Sequence, residues 1–561
     1  MRPESRIDSE AADSLVDTDR WKDQRRFATS RIGQEVVDPV QLSDADRRLA
    51  EMGYIQVYKR EFSWLSSISF ALSISSLFGS VTTTFVYPLE AGGASSAVWC
   101  WLISGFGCYC IALSVAELVS AYPTSGGMYF TCKYLVPENW ISEIAWLAGW
   151  LNLLGQVAGV AATEYGIAQL LLAAISMSND FKRYLPTDRQ TVGVMAASTV
   201  FHGALNCFNT SALEKITKSY LLFHVAVLIA CVTTLLSICS SKPELGLHTS
   251  EYVWTEVVNN SGWRPNGWSW LFGFLSASWT MTDYDAIAHI SEEIQEPEIK
   301  APWSITIAIG ASWIVGWLFN IVLAYTVGDP LDKLNSPVAQ PVAQIFYEVM
   351  GRRPAVFFTV AAYVVQNFGA LAAIQAASRT IWAFSRDEML PLSRIWYKID
   401  KRTQTPIYAV WLLTTCCVLI NLVALGSYTA ISAIFNLTAI ALDWSYCIPI
   451  ICKLSFGMAK RGPFHLGRAS TPINCWAIVW TVLVTIIYVQ PTIRPVTAQN
   501  MNYVSVLMVA VAIFAVGYWY AAGRYYYTGP RVHTQVLDSS EDDVMEGNKQ
   551  RSSEVSANEK R

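Results

Sequence analysis

Between Phe62 and Ala522 the chain is a succession of apolar runs of roughly 20 residues, the length that crosses about 30 Å of hydrocarbon. No water reaches the backbone there, so each run must satisfy its own N–H and C=O groups, and runs of this length do so as helices. The composition agrees: 53% of the 561 residues are hydrophobic and 15% are charged, against about a quarter charged in a soluble domain. The fold class expected is an all-α membrane protein with twelve transmembrane helices, at 62–87, 97–121, 142–176, 191–207, 220–240, 268–290, 304–327, 355–379, 407–426, 428–453, 475–490 and 503–522. The third is long enough to tilt or extend past the bilayer, and the fourth and eleventh are short for a crossing.

This gives a cytoplasmic tail at 1–60, a membrane domain at 61–525 and a cytoplasmic tail at 526–561. Residues 1–60 are rich in Arg, Asp, Glu and Ser, unlike a secretory signal, so the first apolar run reads as an uncleaved anchor. Orientation follows the basic loops: Arg386, Arg394, Lys398, Lys401 and Arg402 in 380–406 and Lys460, Arg461 and Arg468 in 454–474 place both tails inside. The sequon at Asn259 then falls outside. The C-terminal stretch 533–561, with Ser539, Ser540, Glu541, Asp542, Asp543, Ser552, Ser553, Lys549 and Lys560, reads as a disordered acidic tail open to modification. A net charge of −4 gives no reason to expect nucleic acid as a partner. The twelve cysteines include no C-x-x-C pair and read as small buried thiols, so neither a metal nor a cofactor is expected. No phosphate-binding loop, nucleophile elbow or metal spacing occurs outside the spans, which argues against an enzyme or an ATP-driven pump.

Two spans have interiors poor in large apolar residues, Phe70 to Thr84 in the first and Leu275 to Ala286 in the sixth. Gly79 weakens a helix, and the neighbouring hydroxyls can satisfy backbone groups that a break would free. Unwound backbone in hydrocarbon survives only where it is buried or lines a cavity. Interruptions at corresponding positions of two halves point to the substrate site of a secondary transporter. Half-helix amides would receive a carboxylate and freed carbonyls an ammonium, which suits a zwitterion; the bland alternative is that small residues only let helices pack closely.

The stretch Ala116-Glu117-Leu118-Val119-Ser120-Ala121-Tyr122-Pro123-Thr124-Ser125-Gly126-Gly127-Met128-Tyr129 resembles the hallmark of the amino acid–polyamine–organocation permeases. Trp279 to Ala286 with Ser291-Glu292-Glu293 and Ala301-Pro302, and Ser378 to Pro391 with Thr405-Pro406, are similar to two further stretches of that superfamily. The likeness is greatest to the fungal and plant branch of GABA, choline and amino acid permeases. It implies a LeuT-type fold, a 5+5 inverted repeat at about 62–240 and 268–453 plus two helices at 475–522, with the first and sixth helices broken. It also implies alternating access, proton symport, and residence in the plasma membrane or an internal membrane. Members commonly carry Gly where this chain has Asp283, an added carboxylate that would select a cationic substrate or pair with a nearby cation.

The candidate substrate-binding positions are accordingly Ser75, Ser76, Gly79, Ser80, Ser278, Trp279, Thr280, Asp283, Tyr284 and Asp285. The ionisable groups at membrane depth are Glu117, Glu164, His202, His224, Asp283, Asp285, His289 and Asp443. Glu117 reads as a brace for the Tyr-Pro loop and His289 as interfacial. Asn152, Gln156 and Glu164 fall along one side of the third span. Glu164 there, and His224 in the fifth span, are the candidates for proton coupling, a histidine being suited to titration near neutral pH; each has a structural alternative. The function expected is proton-coupled import of an amino acid, GABA or another small one. The alternatives are a choline, thiamine or polyamine permease of the same fold, and a nutrient sensor that binds without transporting.

Overall fold

In the computed structural model the apolar runs are helices, joined by short turns and helical fragments. It describes residues 43–242, 247–425, 428–458, 460–497 and 500–531, with side chains omitted at 428–432. The first 42 residues and the acidic stretch 533–561, including its serines and lysines named above, lie outside the described residues. Residues 43–56 hold a helix, Asp44–Glu51, whose Ser43 cap accepts the Asp46 N–H. Val57–Pro530 forms the helical unit described from here on.

The first span is two helices, α1 (Trp64–Ser75) and α2 (Leu77–Thr84). Then come α3 (Val86–Ala121), α4 (Ile141–Ser178), α5 (Asp188–Leu205) and α6 (Thr210–Ser241). The sixth span ends in α7 (Phe274–Met281) and, after a break, α8 (Ala286–His289). The second half continues with α9 (Pro297–Thr326), α10 (Arg352–Arg386), α11 (Ile407–Asn421) and α12 (Tyr428–Phe456), and closes with α13 (Ser470–Tyr488) and α14 (Val504–Tyr518). Among the described residues, ten elements are long and apolar enough to cross a membrane. The fourth expected span, α5, is mixed in polarity, and the sixth is divided.

Several helices overrun the expected spans, for reasons outside their own sequence. α9 begins before Pro302, which cannot donate to the Glu298 carbonyl one turn back; the Ser120 hydroxyl of α3 donates to that carbonyl instead (2.8 Å). α10 continues to Arg386 because its last two turns bury Arg379 and Arg386 against Glu293 and Glu292. α3 starts eleven residues early and absorbs a kink at Gly93, whose φ of 71° is open to glycine.

The connections gather at two ends. At one, Phe62 N–H donates to the Glu293 carbonyl (3.0 Å) and Gln295 N–H to the Phe62 carbonyl (3.1 Å), so the entry to α1 is paired with the exit from α8. At the other, Arg352 meets Asp180 (3.0 Å) and His248 Nε2 hydrogen-bonds with the Gly328 carbonyl (2.9 Å). The sequon residue Asn259 lies at this second end. Its amide donates to Trp263 O and Asn266 Oδ1, so it organises its own loop.

Between the two halves α3 and α9 interlock reciprocally. Trp101 Nε1–H donates to the Trp313 carbonyl (3.0 Å) and Trp313 Nε1–H to the Leu102 carbonyl (2.9 Å). Each indole lies on a glycine of the opposite helix: a Cβ on Gly316 would stand 2.3 Å from Trp101, and one on Gly105 1.9 Å from Trp313. Gly316→Val is therefore expected to cost about 1–3 kcal/mol through overpacking, read as a lower apparent melting temperature of the purified protein, whereas Gly193→Ala, with open space around it, leaves that temperature unchanged.

Candidate functional site

Where α1 ends, Ser76 turns left-handed (φ 41°) before α2 begins. The break frees backbone groups, and side chains of α6, the fifth span, collect them. Phe78 N–H donates to His224 Nε2 (3.2 Å), and His224 Nδ1 meets the Tyr220 hydroxyl (3.1 Å), which donates to the Leu72 carbonyl (3.2 Å). An amide can only donate, so Nε2 must present its lone pair and the proton sits on Nδ1. His224 is thus neutral here, and with Tyr220 it bridges the two halves of the broken first span. Ser76 donates to the Ser73 carbonyl (2.5 Å) and Ser80 to the Ser75 carbonyl (2.7 Å).

The second break runs from Thr282, with extended backbone, through Asp283 in the left-handed region (φ 64°), to α8 at Ala286. The two acids beside it have different surroundings. Asp285 is fully buried and meets Asn152 Nδ2 (2.9 Å), Tyr446 Oη (2.6 Å) and His289 Nε2 (3.0 Å). His289 Nδ1 faces the Ser125 carbonyl (2.9 Å), which can only accept. Nδ1 therefore carries a hydrogen, and the pair of His289 and Asp285 holds one proton between them and is neutral overall. Among the described residues Asp283 has one side-chain hydrogen-bond partner, the uncharged Gln156 amide (2.5 Å). A carboxylate at Asp283 has no ion-pair partner among the described residues.

Asp283 borders a small cavity walled by Ile74 and Ser80, by Gly155, Gln156, Gly159, Val160 and Thr163 of α4, by Trp279 and Thr282, and by Ala373, Thr438 and Leu442. A smaller space shares Ile74, Thr282 and Asp283 and adds Ser75, Tyr284 and Ala286. The Trp279 indole N–H and the Thr282 hydroxyl are buried without partners among the described residues, as is the Ser75 hydroxyl. Trp279 lies against Phe435 (ring centroids 4.8 Å), and Tyr87 flanks Phe435 on the side of the second end. Towards the first end the closure is ionic: Glu293 with Arg379 (2.7 Å) and Glu292 with Arg386 (3.2 Å).

Ser75, Ser80, Trp279, Asp283 and Tyr284 border these spaces. The other candidates face helices. Gly79 lies on Gln366 and Ala362 of α10, Ser76 on Gly369 of the same helix, and Ser278 bonds to Ser104 (2.9 Å) and Tyr488 (2.7 Å). Thr280 donates to the Ser276 carbonyl (2.8 Å), and Asp285 is held as above. Glu164 is turned away from the cavity, towards His202 of α5 (2.8 Å). His289 is fully buried rather than interfacial. Glu117 braces a different loop from the Tyr-Pro one: it pairs with Lys453 and accepts from the Leu466 N–H (3.3 Å) and from Ser470 (2.7 Å). Thr163, Thr282, Thr438 and Tyr446 belong to the site without having been singled out. Thr282 lies within the second interrupted stretch and Thr163 beside Glu164, but nothing in the local pattern aims any of the four at the cavity.

The model of the amino acid permease family matches residues 62–512. The chain belongs to that family. Among its relatives are an uncharacterized amino-acid permease of Schizosaccharomyces pombe, 54% identical over 498 residues (88% of this chain, 91% of the relative), and amino-acid permease 2 of Neurospora crassa, 46% identical over 490 residues (87% and 90%). The GABA-specific permease of Saccharomyces cerevisiae is 29% identical over 516 residues (91% and 89%). The permease is thus an integral, multi-pass membrane protein of amino acid transport and not an enzyme. The matched region contains both breaks and every residue of the cavity wall.

Proposed function

We propose that this permease imports a small amino acid together with a proton by alternating access, with GABA or another small amino acid as substrate. The observation that carries the reading is the carboxylate of Asp283, without an ion-pair partner among the described residues, at a cavity whose wall also holds the unpartnered donors of Trp279 and Thr282. The first receives the substrate ammonium and the donors receive its carboxylate, so a zwitterion satisfies both. Asp283 alone also favours a second reading, a cationic amine such as choline, thiamine or a polyamine. Both breaks, the reciprocal α3–α9 contact and the ionic closure beneath the cavity support a two-repeat machine of twelve spans, with both tails on the cytoplasmic side. Among membranes, the plasma membrane is the expected site.

The test is uptake of labelled GABA, arginine, choline and thiamine by yeast lacking their own permeases, at external pH 5 and 7.5. Saturable GABA uptake, stronger at pH 5, supports the reading; entry of choline or thiamine alone replaces it with the second. His224 is the proposed coupling group. It is neutral while it caps Phe78, so a proton can bind Nε2 only if the two halves of the first span move. In His224→Gln the amide oxygen can accept from Phe78 and the amide nitrogen can donate to Tyr220, without titrating. Uptake at pH 7.5 is expected to survive in this variant, while the ratio of uptake at pH 5 to that at pH 7.5 falls towards one. An unchanged ratio removes His224 from the coupling.

A further inference from the structure

Outside the cavity, where α4, α5 and α10 meet, the buried Glu164 and His202 and the half-buried Asn367 form a hydrogen-bonded chain. His202 Nδ1 faces Glu164 Oε1 (2.8 Å) and His202 Nε2 faces Asn367 Oδ1 (3.0 Å). Glu164 is 0% exposed and His202 2%. The tautomer follows from the third member. Asn367 Nδ2 donates to the Tyr363 carbonyl (2.6 Å), so the amide oxygen is the atom turned to the imidazole. That oxygen only accepts, which puts a hydrogen on Nε2. A neutral ring would then present the bare Nδ1 lone pair to a carboxylate oxygen, two acceptors 2.8 Å apart in a buried site. The contact is attractive only with a proton between them, as imidazolium and carboxylate or as imidazole and carboxylic acid.

We propose that Glu164 and His202 form a proton-binding site separate from the substrate cavity, holding one proton that fastens α4 to α5 and α10. The site is well isolated. Cys417 of α11 is a titratable side chain within electrostatic reach of Glu164, and its thiol donates to the Val157 carbonyl (3.6 Å). Asn421, also entering from the α11 side, is uncharged and donates to the Ala161 carbonyl (2.8 Å). On α10 the charged Arg379 lies more than three turns from Asn367 and is paired with Glu293. Among the described residues neither Glu164 nor His202 has another ion-pair partner, and Glu164 Oε2 has no partner at all. Thr163 and Val160, beside and one turn before Glu164, are cavity wall. Emptying the site sets lone pair against carboxylate behind that wall and loosens α4. His224 shows a different arrangement, a histidine whose Nε2 lone pair is met by a backbone donor rather than by a carboxylate.

The proton count gives the test. The folded pair holds one proton at neutral pH, whereas in an unfolded chain an ordinary imidazole and carboxylate together hold only a fraction of one at pH 7. Folded protein that binds more protons than unfolded loses stability as pH rises. In Glu164→Gln the amide N–H can donate to Nδ1 and keep the contact with no exchangeable proton. The measurement is the apparent melting temperature of the full chain in nanodiscs from pH 6.5 to 9, independent of any transport. Wild type is expected to fall by at least about 2 °C more than Glu164→Gln over this range, with the two alike at pH 6.5. Leaving the carboxylate without its partner, His202→Leu is expected to melt lower than wild type at pH 6.5, and Glu164→Gln/His202→Leu to recover most of that loss. Parallel profiles for wild type and Glu164→Gln would overturn the proposal, whatever the uptake assays give. Since the readout needs neither substrate nor gradient, failure of the proton-symport reading leaves it standing, and the reverse.

Discussion

Uptake by an Asp283→Asn variant is expected to fall at least about tenfold at low substrate concentration, with the protein still reaching the membrane in normal amounts. Asp285→Ala, two residues on, is expected to reduce the amount of folded protein itself. The contrast follows from what each carboxylate touches. Asp283 bonds to one amide and borders the cavity, and its replacement by the isosteric amide leaves Gln156 a partner. What disappears is the charge proposed to receive an ammonium, an interaction worth about 1.5–3 kcal/mol for a charged hydrogen bond, or roughly ten- to a hundredfold in apparent affinity. Asp285 is the acceptor for Asn152, Tyr446 and His289, all buried. Its removal strands three donors and leaves the His289 proton without its counter-charge, a loss on the order of 5 kcal/mol. Surface amount of a fluorescent fusion, read beside concentration-dependent uptake, separates the two effects. If Asp283→Asn transports as wild type does, the ammonium is received elsewhere and the proposed pose is wrong.

The two breaks were legible because small and hydroxylated residues replace large apolar ones there, from Phe70 to Thr84 and from Leu275 to Ala286. Legibility ended at the orientation of side chains around each break. Ser76, Gly79 and Ser278 lie in the right segments but face α10, α3 or α13, because a one-residue step along a helix turns a side chain by about 100°. Asn152 and Gln156 followed the opposite course. Their four-residue spacing placed them on one side of α4, and that side meets Asp285 and Asp283. Glu164 continues the stripe in sequence, but three turns of 3.6 residues fall short of the twelve-residue interval from Asn152, and the accumulated drift carries it round to α5. Helix ends failed for a related reason. Arg379 ends the expected eighth span and Arg386 looks like loop, until Glu293 and Glu292, almost a hundred residues away in the chain, are brought against them. A local window contains the charge and not its partner.

That same distant pairing sets the second large effect. Arg379 and Glu293 are both 0% exposed. Arg379 Nε donates to Glu293 Oε1 (2.7 Å), Gln375 supports the other oxygen (3.2 Å), and the guanidinium also lies over Tyr58 (5.7 Å). Truncation to Arg379→Ala leaves Glu293 as a buried, uncompensated charge, at a cost of about 3–5 kcal/mol, and most of the protein is expected to be lost before it reaches the surface. The double variant Arg379→Met/Glu293→Met removes both charges and fills comparable volume, an exchange that is often neutral or stabilising, so its melting temperature and surface amount are expected to return close to wild type. Transport is expected to stay impaired in it. The pair joins α10 to the segment after α8, whose backbone is in turn bonded to Phe62 at the entry to α1, so it closes the first end beneath both broken spans at once. The proposed alternating-access cycle would have to break and remake that closure, and a greasy substitute packs without the direction or the reversibility of a guanidinium–carboxylate bond. Recovery of folding with uptake below about a tenth of wild type would therefore separate the fold from the gate. Full recovery of uptake would show that the pair serves packing alone, and a double variant as unstable as Arg379→Ala would place its cost in lost shape rather than in the stranded charge.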